Sequence, residues 1–122
     1  MSKVLVIDDE KMILGLLEQV LSRADFHVET VDNGKSGLEK FDQGEFDLVI
    51  TDVCMPEVDG KQVVSYIKNS DRKHTPVIGM SGTPWRLQHS NFDEIIPKPF
   101  ELKKLVKTAK SLIPPEYPWC EV

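Results

Sequence analysis

Asp52-Val53-Cys54-Met55-Pro56-Glu57-Val58-Asp59-Gly60 follows the apolar run Leu48-Val49-Ile50. A short apolar run bounded by turn residues reads as a strand buried on both faces, here Phe46 to Ile50. Pro56, Asp59 and Gly60 break that strand and lead the chain into the next helix. Asp52 therefore stands at the carboxyl end of a central strand, the edge at which open α/β sheets bind ligands. An Asp in such a place also serves simply to cap a turn. The functional reading gains because Asp8-Asp9-Glu10 follows a second apolar run, Val4-Leu5-Val6-Ile7, in the same form.

Working outward from Asp52, strand and helix periods alternate. Lys3–Ile7 reads as the first strand, and Ile13, Leu16, Leu17, Val20, Leu21 and Ala24 recur at helical spacing after it. Phe26–Val31 is a more polar strand suited to a sheet edge, Asn33-Gly34 a turn, and Lys35–Phe41 a short helix stopped at Gln43-Gly44. Gly60 opens a third helix with Val63, Val64 and Ile67 inward. Pro76–Met80 is the fourth strand and Ile95-Ile96, within Glu94–Pro97, the fifth. A last helix over about Glu101–Leu112 carries Leu102, Leu105, Val106, Ala109 and Leu112 on one stripe, and Pro114-Pro115 ends it. Between strands four and five, Thr83-Pro84 is a good cap and first-turn pair. Only about Trp85–His89 remains for a helix there, so this fourth helix is shortened.

Strand–helix alternation of this kind specifies right-handed βαβ units and a doubly wound parallel sheet. The fold class is α/β and flavodoxin-like, five-stranded; the order 2-1-3-4-5 is taken from that fold class, since periodicity yields only the alternation. The 122 residues read as one domain, with a core over about 3–113 and a short Pro-containing tail over 114–122.

Fifteen basic residues against 20 acidic ones give a net charge of −5, which disfavours direct contact with nucleic acid. No apolar run reaches the roughly 18 residues of a membrane span, and no signal-peptide pattern opens the chain, so the expected location is cytoplasmic. Cys54 and Cys120 lie far apart without CxxC spacing and read as reduced thiols.

Four strands end in a group with chemistry: Asp8 and Asp9, Asp52, Ser81, and Lys98. In a parallel sheet these ends share one edge, so the residues converge. Two unit charges about 4 Å apart repel by on the order of 4 kcal/mol at an effective dielectric of 20, so the acids need counter-charge. Lys98 supplies one positive charge and a hard divalent cation the rest; Mg²⁺ suits one or two carboxylates plus water and a phosphate oxygen. One carboxylate can then act as nucleophile on a phosphoryl group, with Lys98 and the Ser81 hydroxyl holding the transferred oxygens.

Asp8-Asp9, Asp52 with Met55-Pro56 and Asp59-Gly60 after it, Ser81-Gly82, and Lys98-Pro99-Phe100 resemble the receiver domain of two-component response regulators, over roughly Lys3 to Ile113. The resemblance implies that Asp52 is the phosphoacceptor. It implies that Asp9 is a direct Mg²⁺ ligand, Asp8 one acting mainly through water, and the backbone carbonyl of Cys54 a further ligand. Ser81 and Lys98 match the phosphate-sensing hydroxyl and lysine, and the Lys98–Pro99 bond is expected to be cis. The implied partners are a sensor histidine kinase or phosphotransfer protein as donor and a downstream protein not identifiable from sequence. The implied activity is a signalling switch that promotes its own phosphorylation and slow dephosphorylation, rather than a turnover enzyme.

Two departures bear on output. The aromatic residue usual three positions before the lysine is Ile95, and the Ser81–Lys98 segment is short. An alternative reading is therefore a receiver-like protein-binding module not controlled by phosphorylation. A small Mg²⁺-dependent phosphohydrolase is disfavoured because Cys54 stands where such enzymes carry a second Asp. His27, His74 and His89 lack partners at ligand spacing and read as solvated or packed. Trp85 reads as a packing residue. Trp119 is open between partner contact and disorder, and Lys103, Lys104, Lys107 and Lys110 read as the wet face of the last helix.

Overall fold

The computed structural model describes residues 1–87 and 90–113; His89, Trp119, Cys120, the Pro114-Pro115 stop and the 114–122 tail lie outside them. The chain runs β1 (Lys3–Ile7), α1 (Lys11–Arg23), β2 (His27–Val31), α2 (Gly34–Gln43), β3 (Leu48–Asp52), α3 (Gly60–Lys68), β4 (Val77–Ser81), a 3-10 turn (Pro84–Leu87), β5 (Glu94–Pro97) and α4 (Leu102–Leu112). The five strands form one sheet in the order β2-β1-β3-β4-β5, and every neighbouring pair is parallel.

The side-chain period of two splits each central strand between two apolar layers. Val4, Val6, Leu48, Ile50, Ile78 and Met80 face one layer, closed by Leu14, Leu17 and Leu21 of α1 and by Leu105 and Ala109 of α4. Leu5, Ile7, Val49 and Val77 face the other, closed by Phe41 of α2 and by Val63, Val64 and Ile67 of α3. With both faces covered, β3 and β4 are buried at every position.

Several sequence expectations shift. Strand three begins at Leu48, not Phe46, and extends through Asp52. Phe46 is buried from the loop, while Asp47 fastens the strand's entry to β1: its backbone N–H donates to the Lys3 carbonyl at 2.8 Å and its Oδ2 accepts from the Lys3 backbone N–H at 2.8 Å. Polar Thr51 and Asp52 stay in the ladder because register, not hydropathy, sets its length, with Asp52 opposite Met80. Strand four likewise runs Val77–Ser81, one residue later than expected, so Ser81 is a strand residue. In α1 the buried stripe is Leu14, Leu17 and Leu21, whereas Leu16 is 38% exposed. The expected stripe left out Leu14 and included Leu16, so the inward face is rotated about the helix axis from the one expected. Asn33-Gly34 is no free turn: the Asn33 side chain accepts the Ser36 N–H at 2.8 Å and caps α2, whose first residue is Gly34. Helix α3 opens on the reciprocal Asp59–Gln62 capping box, with both bonds at 2.9 Å.

Between β4 and β5 the expected short helix is a single 3-10 turn. The sheet face it leaves is covered by individual side chains. Leu87 is buried, and the Phe92 ring lies against Gly79, where an added Cβ would come within 2.9 Å of it. Asp93 fastens the approach to β5: its Oδ2 accepts from the Val77 N–H at 2.7 Å and from Lys68 Nζ at 2.8 Å. Trp85, expected to pack, is 65% exposed, because so short a turn offers the sheet one inward position and Leu87 takes it. Lys103, Lys104, Lys107 and Lys110 are exposed, as expected. Among the described residues no helix is long and apolar enough to cross a membrane.

Candidate functional site

The carboxyl ends of the strands are held together by backbone bonds that continue past the ladders. Asp8 N–H donates to the Val31 carbonyl at 3.2 Å, Val53 N–H to Met80 at 3.0 Å, and Lys98 N–H to Ser81 at 2.8 Å. Asp8, Asp52 and Ser81 are thereby buried at one edge, while Asp9 remains exposed. One carboxylate oxygen each from Asp8, Asp9 and Asp52 lies within 4.8 Å of the others.

Lys98 reaches across this edge from the residue after β5. Its Nζ stands 3.2 Å from Asp52 Oδ1, 3.4 Å from Asp8 Oδ2 and 3.9 Å from Glu10 Oε1. The bond preceding Pro99 is cis. Asp8 Oδ1 also accepts the Glu10 N–H at 2.9 Å, so both oxygens of the most buried carboxylate have partners. Burial is the largest influence on Asp8 and raises its pKa; the Glu10 N–H and Lys98 pull down and Asp52 pushes up, leaving it above the ordinary 3.8. Asp52 is raised for the same first reason, partly offset by Lys98 and by the Cys54 backbone N–H, with Asp9 adding repulsion. Burial by itself would lower Lys98, but the charges of Asp52 and Asp8 and their hydrogen bonds outweigh it, so its pKa rises and the ammonium is retained.

The Ser81 hydroxyl oxygen accepts the Thr83 N–H at 3.0 Å and lies 3.4 Å from Thr83 Oγ1. Ser81 directly follows Met80, the register partner of Asp52, so its hydroxyl stands on the neighbouring strand one step beyond the carboxylate. A cavity of about 490 Å³ opens here between the β3–α3 and β4–turn segments, with Cys54, Ser81, Lys61 and Arg86 among its walls.

Asp8, Asp9, Asp52 and Lys98 thus meet as the sequence implies, with Ser81 on the adjoining strand end. Cys54 is exposed and touches the site through its backbone. His27 and His74 are exposed. Sequence reasoning passed over Glu10 as a second-row partner of Lys98, Thr83 as the partner of Ser81, and the two cavity cations. Glu10 and Thr83 were legible in principle, since each sits two residues beyond a strand-end group. Three carboxylates against one lysine leave excess negative charge in an all-oxygen donor set, which is the environment a hard divalent cation occupies. The cluster is therefore a possible metal site.

Residues 4–110 match the response regulator receiver domain family. The chain belongs to that family. This receiver domain is 40% identical over 108 residues to the DNA-binding transcriptional regulator NtrC of Bradyrhizobium sp. (strain RP501 Parasponia), a match covering 84% of this chain and 22% of that protein. It is 32% identical over 117 residues to the transcriptional regulatory protein ResD of Bacillus subtilis, covering 92% of this chain and 48% of that one. The chain thus spans at most about half the length of these curated relatives. Among solved structures, the response regulator protein TrrA of Thermotoga maritima, crystallised in complex with Mg²⁺-BeF, superposes with a TM-score of 0.85 at 33% identity, covering 93% of this chain and all of that one (100%). The chemotaxis response regulator CheY4 of Vibrio cholerae gives 0.86 at 29%, covering 93% of this chain and 99% of that one. The acidic pocket of Asp8, Asp9 and Asp52 fits the Mg²⁺-dependent phosphoacceptor site of a receiver domain.

Proposed function

We propose that this receiver domain is a phosphoacceptor switch in a two-component phosphorelay, with Asp52 as the residue that receives the phosphoryl group. The observation that carries the reading is the placement of Asp52. It is the buried carboxylate at the end of the central strand, 3.2 Å from Lys98 and within 4.8 Å of two further acids.

Asp52 attacks phosphorus through a carboxylate oxygen; the bond to the donor's imidazole nitrogen breaks, and that nitrogen keeps the electron pair and takes up a proton. Burial opposes ionisation of Asp52 and is the largest influence on it; Lys98 offsets part of that cost and favours the charged, nucleophilic form. Lys98 then turns from the carboxylate to a phosphoryl oxygen. The Ser81 hydroxyl oxygen is engaged by the Thr83 N–H, and its proton can turn from the long 3.4 Å contact with Thr83 Oγ1 to a second phosphoryl oxygen. Asp8, Asp9 and the Cys54 carbonyl are the residues that would hold Mg²⁺ beside Asp52. The ion supplies positive charge where two anions must approach.

The donor is a phosphohistidine on a sensor histidine kinase or phosphotransfer protein, which places the exchange in the cytoplasm. The domain slowly hydrolyses its own acyl phosphate and signals through contact with a downstream protein, without itself touching nucleic acid. Incubation with acetyl phosphate and Mg²⁺ is expected to add one phosphoryl group, labile to hydroxylamine. Intact-mass detection of the same adduct on Asp52→Asn would overturn the assignment.

A further inference from the structure

The outer seam between α1 and α4 carries apolar surface and charge that the phosphoacceptor reading leaves unused. A groove of about 560 Å³ runs along it. Val20 of α1 with Leu102 and Val106 of α4 form its floor, and all three stay half-buried above the apolar layer that the two helices close. Its rim is four exposed cations, Arg23, Lys103, Lys107 and Lys110, and no acid lines it. None of the four has an ion-pair partner among the described residues, whereas Lys3, Lys40, Lys68 and Lys98 are paired. In a chain of 20 acidic residues against 15 basic ones, this patch segregates positive charge around an apolar floor. It suits an occupant with an apolar body and acidic edges.

We infer that the groove seats the chain's own segment 114–122, with Trp119 on the apolar floor and Glu116 and Glu121 against the rim. The segment, Pro114-Pro115-Glu116-Tyr117-Pro118-Trp119-Cys120-Glu121-Val122, holds two acids and no base, so its charge complements the four cations. Its indole offers a large apolar body with one polar handle, the form that a half-open apolar floor accepts. Exposed charge pairs contribute little each, so the ring supplies most of the affinity and the cations select the seat.

Reach and tethering favour this occupant over a separate molecule. Pro114 stands four positions after Lys110, which itself lines the groove. Along α4 the groove extends from Leu102 to Lys110, about 12 Å at helical rise. The segment's nine residues, 114 to 122, span up to about 30 Å when extended, so Trp119 can return to the floor. A short tether also holds it at an effective concentration of about millimolar, above that of the same segment from a second copy in dilute solution. Pro114, Pro115 and Pro118 each fix one backbone torsion, which lowers the entropy lost on docking. Docking covers the floor and partly neutralises the cationic rim, closing this face of the domain to other acidic chains.

The test uses the full chain carrying Trp85→Phe, which leaves Trp119 as its one tryptophan. Acrylamide quenching and the emission maximum of Trp119 are compared with those of a free peptide of residues 114–122. In the chain the quenching constant is expected to be at least about 2-fold lower than in the peptide, with bluer emission. Lys107→Glu/Lys110→Glu should move both readings toward the peptide, and Lys107→Arg/Lys110→Arg should leave them unchanged. High salt should act in the direction of the charge reversal. As a second readout on the otherwise wild-type chain, Trp119→Ala should shift the amides of Val20, Leu102 and Val106 more than those of β2 or α3. Trp119 quenched as readily as in the peptide would overturn the inference. So would protection that charge reversal does not change, with no amide shift at the groove. Protection lost on dilution would also overturn it, assigning the groove to the segment of a second copy.

Discussion

Replacing Asp9 by Asn should make the metal-free protein more stable, although it removes a residue of the site. Asp8, Asp9 and Asp52 present oxygens within 4.8 Å of one another, and only two of the three acids contact Lys98. At 4.8 Å each like-charge pair costs about 3.5 kcal/mol at an effective dielectric of 20 and about 0.9 kcal/mol in bulk water. Asp9 is exposed, so its two pairs belong near the aqueous end, and their removal is worth roughly 1–2 kcal/mol. For a chain of this size that raises Tm by about 3–8 °C. The same substitution should remove most of the stabilisation by Mg²⁺, which in the wild type follows mass action and reaches about 2.7 kcal/mol at a hundredfold excess over Kd. Asp8→Asn should behave differently, because Asp8 is fully buried and its charge holds Lys98 at 3.4 Å. Thermal melts of wild type and both variants, in EDTA and in millimolar Mg²⁺, decide the matter. An unchanged or lowered apo Tm for Asp9→Asn would refute the electrostatic reasoning, and a full Mg²⁺ response would remove Asp9 from the ligand set.

Other expectations follow from the same geometry. Burial first of all raises the Asp52 pKa, so the folded state binds this proton more tightly than the unfolded chain; the group's contribution to stability is present below 3.8 and is lost as pH rises through the folded value. The gain in apo stability from Asp52→Asn should therefore be small in acid and largest at neutral pH, as read by urea melts across that range; a gain independent of pH would contradict it. Gly60→Ala would place a Cβ 2.5 Å from the Asp52 carbonyl oxygen and 2.7 Å from Val53 Cα, both backbone atoms that cannot swing aside, so a loss of about 1–3 kcal/mol is expected. Gly15→Ala, with nothing within 4 Å in the middle of α1, should instead gain up to about 1 kcal/mol in the same denaturation assay. Beryllofluoride with Mg²⁺ should shift the amides of Thr83 to Leu87 and the Trp85 indole more than Ile95 or α4, because Ser81 is bonded to Thr83 and Ile95 has no ring to exchange between buried and exposed positions. Largest remote shifts on Ile95 and α4, with Trp85 silent, would refute that route.

The alternation of apolar runs with helical stripes, and the strand-end position of Asp8, Asp9, Asp52, Ser81 and Lys98, were legible in sequence because both are local. A buried parallel strand must be apolar, and a parallel sheet must gather its carboxyl ends on one edge. Strand limits were not legible at that resolution. Thr51, Asp52 and Ser81 are polar yet lie inside ladders, since pairing with a neighbour extends a strand beyond its apolar run. Tertiary structure alone decided which leucines of α1 face inward and that Trp85 points to solvent while Leu87 is buried. It also decided that Phe92 fills the face over Gly79 left open by the missing helix. It brought Lys61 and Arg86, 25 positions apart by their numbers, to one cavity beside Asp52. The reason is the same in each case: periodicity records which side of an element is buried, whereas a distance between residues on different elements exists only once those elements have packed.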